Sequence, residues 1–352
     1  MLKTSCKGQI LYTSKSNDDA TLDFRLKQLA SHCQQFKGAI TGRSVFQLIS
    51  TLLLFIVSLS ICLTTFDSHY WISAALIIPT GGLLVRIFIF QHDCGHQSFF
   101  KSRKWNDRIG RFLSVFTWTP YDYWRRSHNI HHATSGHLSK RGVGDIDTLT
   151  VKEYQARSWF MKLSYRIYRH PIFLLLIGGP TMILILQRFP FGQPLPFKKV
   201  WGSIMGLNLA LLLTYGSVVY LIGPAFFLQV MLPIICVAAW VGGWLFYIQH
   251  QFENTLWDHE NEWSFNEAAV LGSSYFVLPK ILHWFSGNIG YHHLHHMCGS
   301  IPNYRLQECH ETAPDVPEIR RLRFWDSLKC FRLTVWDEDL RRLVSFSQLK
   351  EI

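Results

Sequence analysis

The sequence predicts an all-α membrane protein whose four transmembrane helices form two hairpins. Apolar residues make up 48% of the 352 residues, and they lie in long runs. A helix of about 22 residues is about 33 Å long, which crosses a hydrocarbon core of about 30 Å. Four runs reach roughly this length, and a turn of a few residues joins the members of each pair. The predicted spans are Val45–Phe66, Trp71–Phe90, Trp201–Ile222 and Ala225–Ile248.

The residues that precede the first span, 1–44, are polar and mixed in charge. They contain no apolar core that leads to a small-residue cleavage site, so we expect no targeting signal there. Thr21–Phe36 is weakly amphipathic and is predicted to form a helix on the cytosolic side. The chain is therefore divided into a cytosolic N-terminal segment, 1–44, and a single domain, 45–352.

The distribution of basic residues predicts the orientation of the spans. The segment Gln91–Arg169 contains 14 Lys and Arg residues, whereas the turns Asp67–Tyr70 and Gly223–Pro224 contain none. Basic residues are enriched in the cytoplasmic loops of membrane proteins. We therefore place the segments 91–200 and 249–352, together with both termini, in the cytosol.

One further apolar run, Pro171–Gln187, is predicted to be interfacial or re-entrant. Its uncharged core, Ile172–Leu186, would span only about 22 Å as a helix, which is too short to cross comfortably. Counting it as a crossing would also place histidine clusters on opposite sides of the membrane. We therefore expect only the four longer runs to cross.

Nine of the 17 histidines fall in three short clusters. Residues three and four apart share a helix face, so each cluster can direct its imidazoles at one point. Such density is typical of metal sites. Without His293, the clusters offer eight imidazoles at these spacings. One zinc ion takes only four ligands, so eight imidazoles with few cysteines favour two transition-metal ions. The clustered histidines are His92, His96, His128, His131, His132, His292, His293, His295 and His296.

Composition excludes several other classes of protein. The net charge is +11, but no zinc finger, RNA-binding signature or purely basic tract accompanies it. We therefore expect an anionic membrane surface, not nucleic acid, as the partner. The eight cysteines are scattered without a C-x-x-C pair, which predicts reduced thiols and neither a zinc ribbon nor a disulfide scaffold.

Imidazoles that bind a metal need their second ring nitrogen held, commonly by a carboxylate. Candidates beside or between the clusters are Asp93, Asp145, Asp147 and Glu253. For each of them, a helix cap or a solvated charge is the alternative. The isolated histidines are not expected to be ligands; they are His137, His170, His259, His283 and His310.

The three clusters form an ordered series of motifs, H-x-x-x-H at 92–96, H-x-x-H-H at 128–132 and H-x-x-H-H at 292–296. With these boxes the sequence resembles the membrane fatty acid desaturases, and in particular their bacterial acyl-lipid branch. The resemblance extends from about Phe90 to Phe346. It also includes the stretches 119–136, 144–146, 249–253 and 287–293.

This resemblance implies two iron ions held by histidine, interfacial helices, a cytosolic helical cap and a bacterial inner membrane. It also implies O2-dependent desaturation of an acyl chain, expected to be part of a membrane lipid. No His-Pro-Gly-Gly motif of a fused haem domain occurs. Electrons are therefore expected from a separate ferredoxin- or flavodoxin-like protein that docks on the basic cytosolic face.

The resemblance also assigns residues. Family members commonly use one more histidine between the last span and the third box, and His250 directly follows the fourth span. His293 turns the third box into H-H-x-H-H and is expected to lie outside the ligand set, either in contact with a ligand histidine or at the membrane interface. Cys94 and Cys298 flank boxes but are expected to pack as small residues. The expected ligands are His92, His96, His128, His131, His132, His250, His292, His295 and His296.

Two alternatives to a desaturase remain open at this stage. A hydroxylase or other oxygenase of the same histidine-box superfamily would return oxygen to carbon instead of removing a second hydrogen. A histidine-rich metal carrier or membrane sensor would perform no catalysis. Carriers tend to place His and Asp inside the spans or in disordered loops, whereas the four predicted spans contain no histidine.

Overall fold

The computed structural model describes residues 17–189 and 197–350, and its regular secondary structure is almost entirely helical. The α-helices of the described residues are α1 (Asn17–Gln34), α2 (Thr41–Thr65), α3 (Tyr70–Gly95), α4 (Arg103–Thr117), α5 (Tyr121–Thr134), α6 (Val151–Ala156), α7 (Trp159–Tyr168), α8 (Gly179–Leu184), α9 (Phe197–Ile222), α10 (Pro224–Phe226), α11 (Leu232–His250), α12 (Phe265–Leu271), α13 (Lys280–Phe285), α14 (His292–Met297), α15 (Asn303–Glu311) and α16 (Phe324–Cys330).

Short strands occur only near the C-terminal end of the described residues. The parallel pair joins β1 (Tyr275–Phe276) to β2 (Arg321–Leu322), and the antiparallel pair joins β3 (Val335–Asp337) to β4 (Arg342–Val344). With two or three residues per strand, these pairs only connect loops and do not form a larger sheet. The predicted all-α membrane fold is therefore confirmed.

Four helical stretches in the described part of the chain are long and apolar enough to cross a membrane. They are Thr41–Thr65, Tyr70–Gly95, Val200–Ile222 and Pro224–His250. The second and fourth run past their predicted ends at Phe90 and Ile248, because the backbone hydrogen bonding of a helix continues into its polar last turn. As a consequence, His92 and His250 lie on the ends of α3 and α11.

The two hairpins pack against each other where α3 meets α11. A Cβ added to Gly81 would lie 2.5 Å from Cγ1 of Val237, closer than real Cβ atoms approach a neighbour. Small residues at such positions allow membrane helices to come close together. This contact brings the C-terminal ends of α3 and α11, with His92 and His250, to one place.

The bent pair α7 and Phe173–Arg188 contains the run that was predicted to be interfacial or re-entrant. Its two parts differ in direction by 71°, and taken as one span they would make a fifth crossing. However, histidines of α5 and α14 meet in common groups, which requires an even number of crossings between them. The α9 and α10–α11 stretches supply two, so the bent pair does not cross.

The N-terminal helix α1, predicted within Thr21–Phe36, folds onto the histidine region. Leu26 and Leu29 are buried with Val270 of α12 and Leu294 of α14 in one apolar cluster. Burying a leucine side chain stabilises a fold by about 1.5–3 kcal/mol. α1 therefore covers the outer face of the helix that carries the third box.

A second set of contacts ties the loops to the end of α11. The fully buried Arg169 donates to Oε1 of Gln251 at 2.8 Å, to the hydroxyl of Tyr247 at 3.1 Å and to the carbonyl of Leu333 at 2.9 Å. These bonds offset much of the cost of burying the guanidinium, although its Nε atom has no partner among the described residues. The network holds the chain immediately after His250.

Candidate metal centre

The structure brings the nine expected ligands together in two adjoining groups. Within each group every histidine offers one ring nitrogen, and these nitrogens all lie within 4.8 Å of one another. The first group is His92, His96, His128, His132 and His295. The second group is His131, His250, His292 and His296.

The second and third boxes each contribute to both groups, so the expectation that each cluster aims at one point is wrong for them. Side chains four apart on a helix differ by about 40° in direction, whereas adjacent ones differ by about 100°. His128 and His132 of α5 therefore share the first group, and His131 turns to the second. On α14 the assignment is reversed: His292 and His296 share the second group, and His295 joins the first.

The ring nitrogens in the first group point at one another across short distances. Nε2 of His295 lies 3.1 Å from Nε2 of His92 and 3.0 Å from Nε2 of His132. Nε2 of His128 lies 3.1 Å from that of His132. Nε2 of His96 is buried and has no partner among the described residues.

The second group repeats this arrangement around His250. Its Nε2 atom lies 3.1 Å from Nε2 of His131 and 2.9 Å from Nε2 of His292. Nε2 of His296 is buried without a partner in the described chain, and its ring stacks on that of His132 with centroids 4.1 Å apart. Converging lone pairs repel unless protons or cations lie between them, so both groups fit imidazole-binding metal ions.

Burial also favours the form of histidine that binds metal. Removal from water, reinforced by the neighbouring imidazoles, holds the pKa of six group members well below the usual range. The six are His96, His128, His132, His292, His295 and His296. A neutral imidazole keeps the lone pair that a metal requires.

Comparison with known proteins identifies the family. The family model described as Fatty acid desaturase matches residues 68–327, which include all three boxes. The chain belongs to the fatty acid desaturase family. A fatty acid desaturase of Bacillus subtilis is 39% identical over 334 residues, covering 95% of this chain and 94% of that protein.

More distant desaturases match about two thirds of the chain. An endoplasmic reticulum omega-3 fatty acid desaturase of Vigna radiata is 27% identical and covers 70% of this chain and 66% of its own length. An sn-1 acyl-lipid omega-3 desaturase (ferredoxin) of Synechocystis is 28% identical and covers 67% of this chain and 66% of its own length.

In this desaturase, two of the expected carboxylates contact group histidines. A carboxylate oxygen of Asp145 is hydrogen-bonded to Nδ1 of His131, and Oδ1 of Asp93 lies 3.3 Å from Nδ1 of His92. When Nδ1 carries the proton and donates to a carboxylate, Nε2 is left free to bind a metal. The two acids therefore fix the tautomers of one histidine in each group.

Two further contacts around the groups were not anticipated from the sequence. Nδ1 of His250 lies 3.0 Å from the carbonyl oxygen of Gly272, at the end of α12. Asn303 donates to Oδ2 of Asp93 from its backbone nitrogen at 2.8 Å and from Nδ2 at 2.9 Å. Neither contact could be predicted from the sequence. Every residue type has a backbone carbonyl, and Asn303 lies 210 positions from Asp93.

Glu253 does not take the position that was expected of it. Its exposed carboxylate pairs with Arg342 at 3.2 Å, and none of its described contacts is with a group histidine. The helix ends at His250, and the turn that follows directs Glu253 to the surface. The structure therefore supports the alternative for Glu253, a solvated charge.

Asp147 is likewise exposed, and its backbone atoms make its hydrogen bonds.

His293 lies outside both groups and is fully buried, so it is not an interfacial residue. Its ring neighbours are Tyr275 and His310, and neither ring nitrogen has a partner in the described part of the chain. Burial lowers the pKa of His293 to about 3. The other isolated histidines also lie outside the groups; they are His137, His170, His259, His283 and His310.

Proposed function

We propose that this protein is an O2-dependent desaturase that introduces a double bond into an acyl chain of a membrane lipid at a di-iron centre. The observation that carries the proposal is the pair of adjoining groups of buried and half-buried imidazoles, which lie at and beside the ends of two membrane spans. A centre in this position is within reach of a lipid acyl chain. Membership of the fatty acid desaturase family supports the reaction.

The first group would hold one iron ion through five histidines, and the second would hold the other through four. Iron supplies the O2 chemistry that removes hydrogen from an unactivated C–H bond, which no side chain can do. In the balanced reaction, O2 takes two hydrogens from adjacent carbons and accepts two electrons and two protons, and leaves as two waters. The acyl chain loses one C–H bond at each carbon and gains the double bond.

The residues of the chain itself position and insulate this centre. Asp145, Asp93 and the carbonyl of Gly272 each hold one Nδ1 atom, which keeps the opposite nitrogen directed inward. α1 covers α14 from outside, and six of the nine group histidines are buried, whereas His96, His128 and His132 are half-buried. Ligands that are fixed and largely removed from water favour a substrate that enters from the membrane.

The electron donor is proposed to be a ferredoxin- or flavodoxin-like protein. Some relatives are named as ferredoxin-dependent acyl-lipid desaturases. The net charge of +11 favours an acidic partner. The hydroxylase reading is less favoured because these relatives are named desaturases, and the carrier reading is disfavoured by the family assignment.

The proposed orientation places both termini and the histidine groups in the cytosol of a bacterium, with the spans in the inner membrane. Its support is the basic segment Gln91–Arg169, compared with the uncharged outer turns. Tags attached at residues 1 and 352 should both be protected from added protease in sealed right-side-out cells. An accessible C-terminus with a protected N-terminus would mean an odd number of crossings.

The metal content should be two iron ions per chain. The expectation follows from nine imidazoles in two groups that contain no cysteine. Elemental analysis of protein purified from iron-replete cells measures it, with activity assayed alongside in the presence of a reduced donor. A stoichiometry near one in active protein, or inactivity of a two-iron protein with a competent donor, would contradict the di-iron proposal.

The substrate should be an acyl chain that is already esterified in a membrane lipid. In cells that express the protein and receive a pulse of labelled saturated fatty acid, label should enter phospholipid first as saturated chains. Those chains should then become unsaturated without leaving the lipid. Chromatography with location of the double bond follows both steps, and cells expressing His295→Ala serve as the control. Labelled unsaturated thioester that appears before unsaturated phospholipid would exclude a lipid-linked substrate.

A further inference from the structure

A groove of about 420 Å³ lies along α9, and none of the group histidines lines it. This volume falls within the range of sites that bind small molecules. One side of the groove is formed by α9, and the other by Trp118 after α4, Arg188 and Phe227 after α10. Its principal lining residues are Trp118, Arg188, Asn208, Leu212, Tyr215 and Phe227.

The polarity of the groove changes from one end to the other. Arg188 and Asn208 form a polar end, whereas the lining further along α9, up to Val219, is apolar except for Tyr215. Asn208 and Val219 are separated by about 16 Å along the helix. Because α9 and α11 are antiparallel and His250 ends α11, the polar end is nearer the membrane surface that bears the histidines. A phospholipid has the same order of polar head and apolar chain.

Arg188 brings a positive charge to this groove. Its guanidinium donates to Oδ1 of Asn208 at 3.2 Å and to the carbonyl oxygen of Trp118, and Nδ2 of Asn208 donates to the carbonyl of Arg188 at 3.1 Å. These partners are neutral, and Nε of Arg188 is buried without a partner among the described residues. None of the ion pairs in the described chain includes Arg188. In a membrane protein, a partly buried arginine without an acidic partner indicates a functional site.

We propose that this groove is a glycerophospholipid site, with the lipid phosphate at Arg188 and one acyl chain along α9 beside Leu212 and Phe227. The guanidinium supplies donors in the geometry that a phosphate accepts. This site is separate from the desaturation reaction. It binds the head group of a lipid, whereas the metal centre acts on a C–H bond of an acyl chain.

The lipid would contact a turn that is connected to the histidine region. Trp118 precedes Thr119, whose carbonyl accepts a hydrogen bond of 3.0 Å from Nε2 of Gln91, the neighbour of His92. The same turn leads into α5, which carries the second box. Occupation of the groove therefore stabilises the segment from which the first and second boxes are positioned.

Photolabelling of the purified full-length protein in detergent tests the proposal. Two probes carry the same diazirine acyl chain, one as phosphatidylglycerol and the other as diacylglycerol, which lacks the phosphate. Peptides that contain residues 205–222 should be labelled about tenfold more by the phosphatidylglycerol probe, the effect of one charge-assisted hydrogen bond. Arg188→Gln should reduce that labelling to the diacylglycerol level, and Arg332→Gln, which removes an exposed charge elsewhere, should not.

A second pair of variants tests the apolar part without changing Arg188. Leu212 and Leu213 are 69% and 62% exposed, but only Leu212 lines the groove. Leu212→Trp should fill it and reduce labelling by both probes several-fold, whereas Leu213→Trp should leave labelling unchanged. Equal labelling by the two probes in the wild type, or equal labelling of the two tryptophan variants, would overturn the proposal. Because no catalytic step is measured, either result is independent of the desaturase assignment.

Discussion

Replacing His250 with alanine is expected to abolish desaturation and to lower the bound metal as strongly as His295→Ala does. Nε2 of His250 faces the ring nitrogens of His131 and His292 at 3.1 and 2.9 Å, and its Nδ1 is held by the carbonyl of Gly272. The second group would lose one of its four ligands. Since loss of a residue that merely orients a ligand costs about 10–100-fold, we expect more than about 100-fold here.

Metal content and the fatty acid profile of expressing cells measure this effect. The matched control is His283→Ala, because His283 is also a buried histidine but lies outside both groups. That variant should keep the wild-type metal content. If His250→Ala keeps both wild-type metal and wild-type activity, the centre is formed by the eight box histidines alone, and another group completes the second site.

Replacing Asp145 with asparagine should weaken metal binding by about 10–100-fold while leaving all nine histidines in place. The carboxylate of Asp145 is buried against Nδ1 of His131 and fixes the tautomer that directs Nε2 into the second group. An amide of the same shape can present its NH2 group to Nδ1, which favours the wrong tautomer. Activity should fall with metal occupancy and recover in part at high iron concentration.

Asp147→Asn provides the control for this prediction. Asp147 is two residues away and exposed, and its backbone atoms make its contacts, so its amide variant should bind metal like the wild type. Equilibrium titration with iron, followed by elemental analysis, compares the two variants. Equal affinities would show that packing against Phe246, with ring centroids 5.4 Å apart, is enough to orient His131.

Much of the fold could be predicted because the bilayer imposes a length on each span. The four spans begin and end within a few residues of Val45–Phe66, Trp71–Phe90, Trp201–Ile222 and Ala225–Ile248, and the fold class is confirmed. The boxes could also be recognised from the sequence, because histidines three and four apart lie on the same side of a helix. His250 was found through the family resemblance, and the structure places it in the second group.

The sequence by itself thus determined the membrane class, the approximate spans and the three histidine boxes, since each depends on local length or spacing. Only the tertiary structure decided how the histidines divide between the two groups. His131 and His295 each lie in a different group from the other ligands of their own box. It also placed Asn303 on Asp93, moved Glu253 to the surface and set Arg188 beside Asn208. These contacts join distant segments, or depend on where a helix ends, and so leave no periodicity in the chain from which they could be predicted.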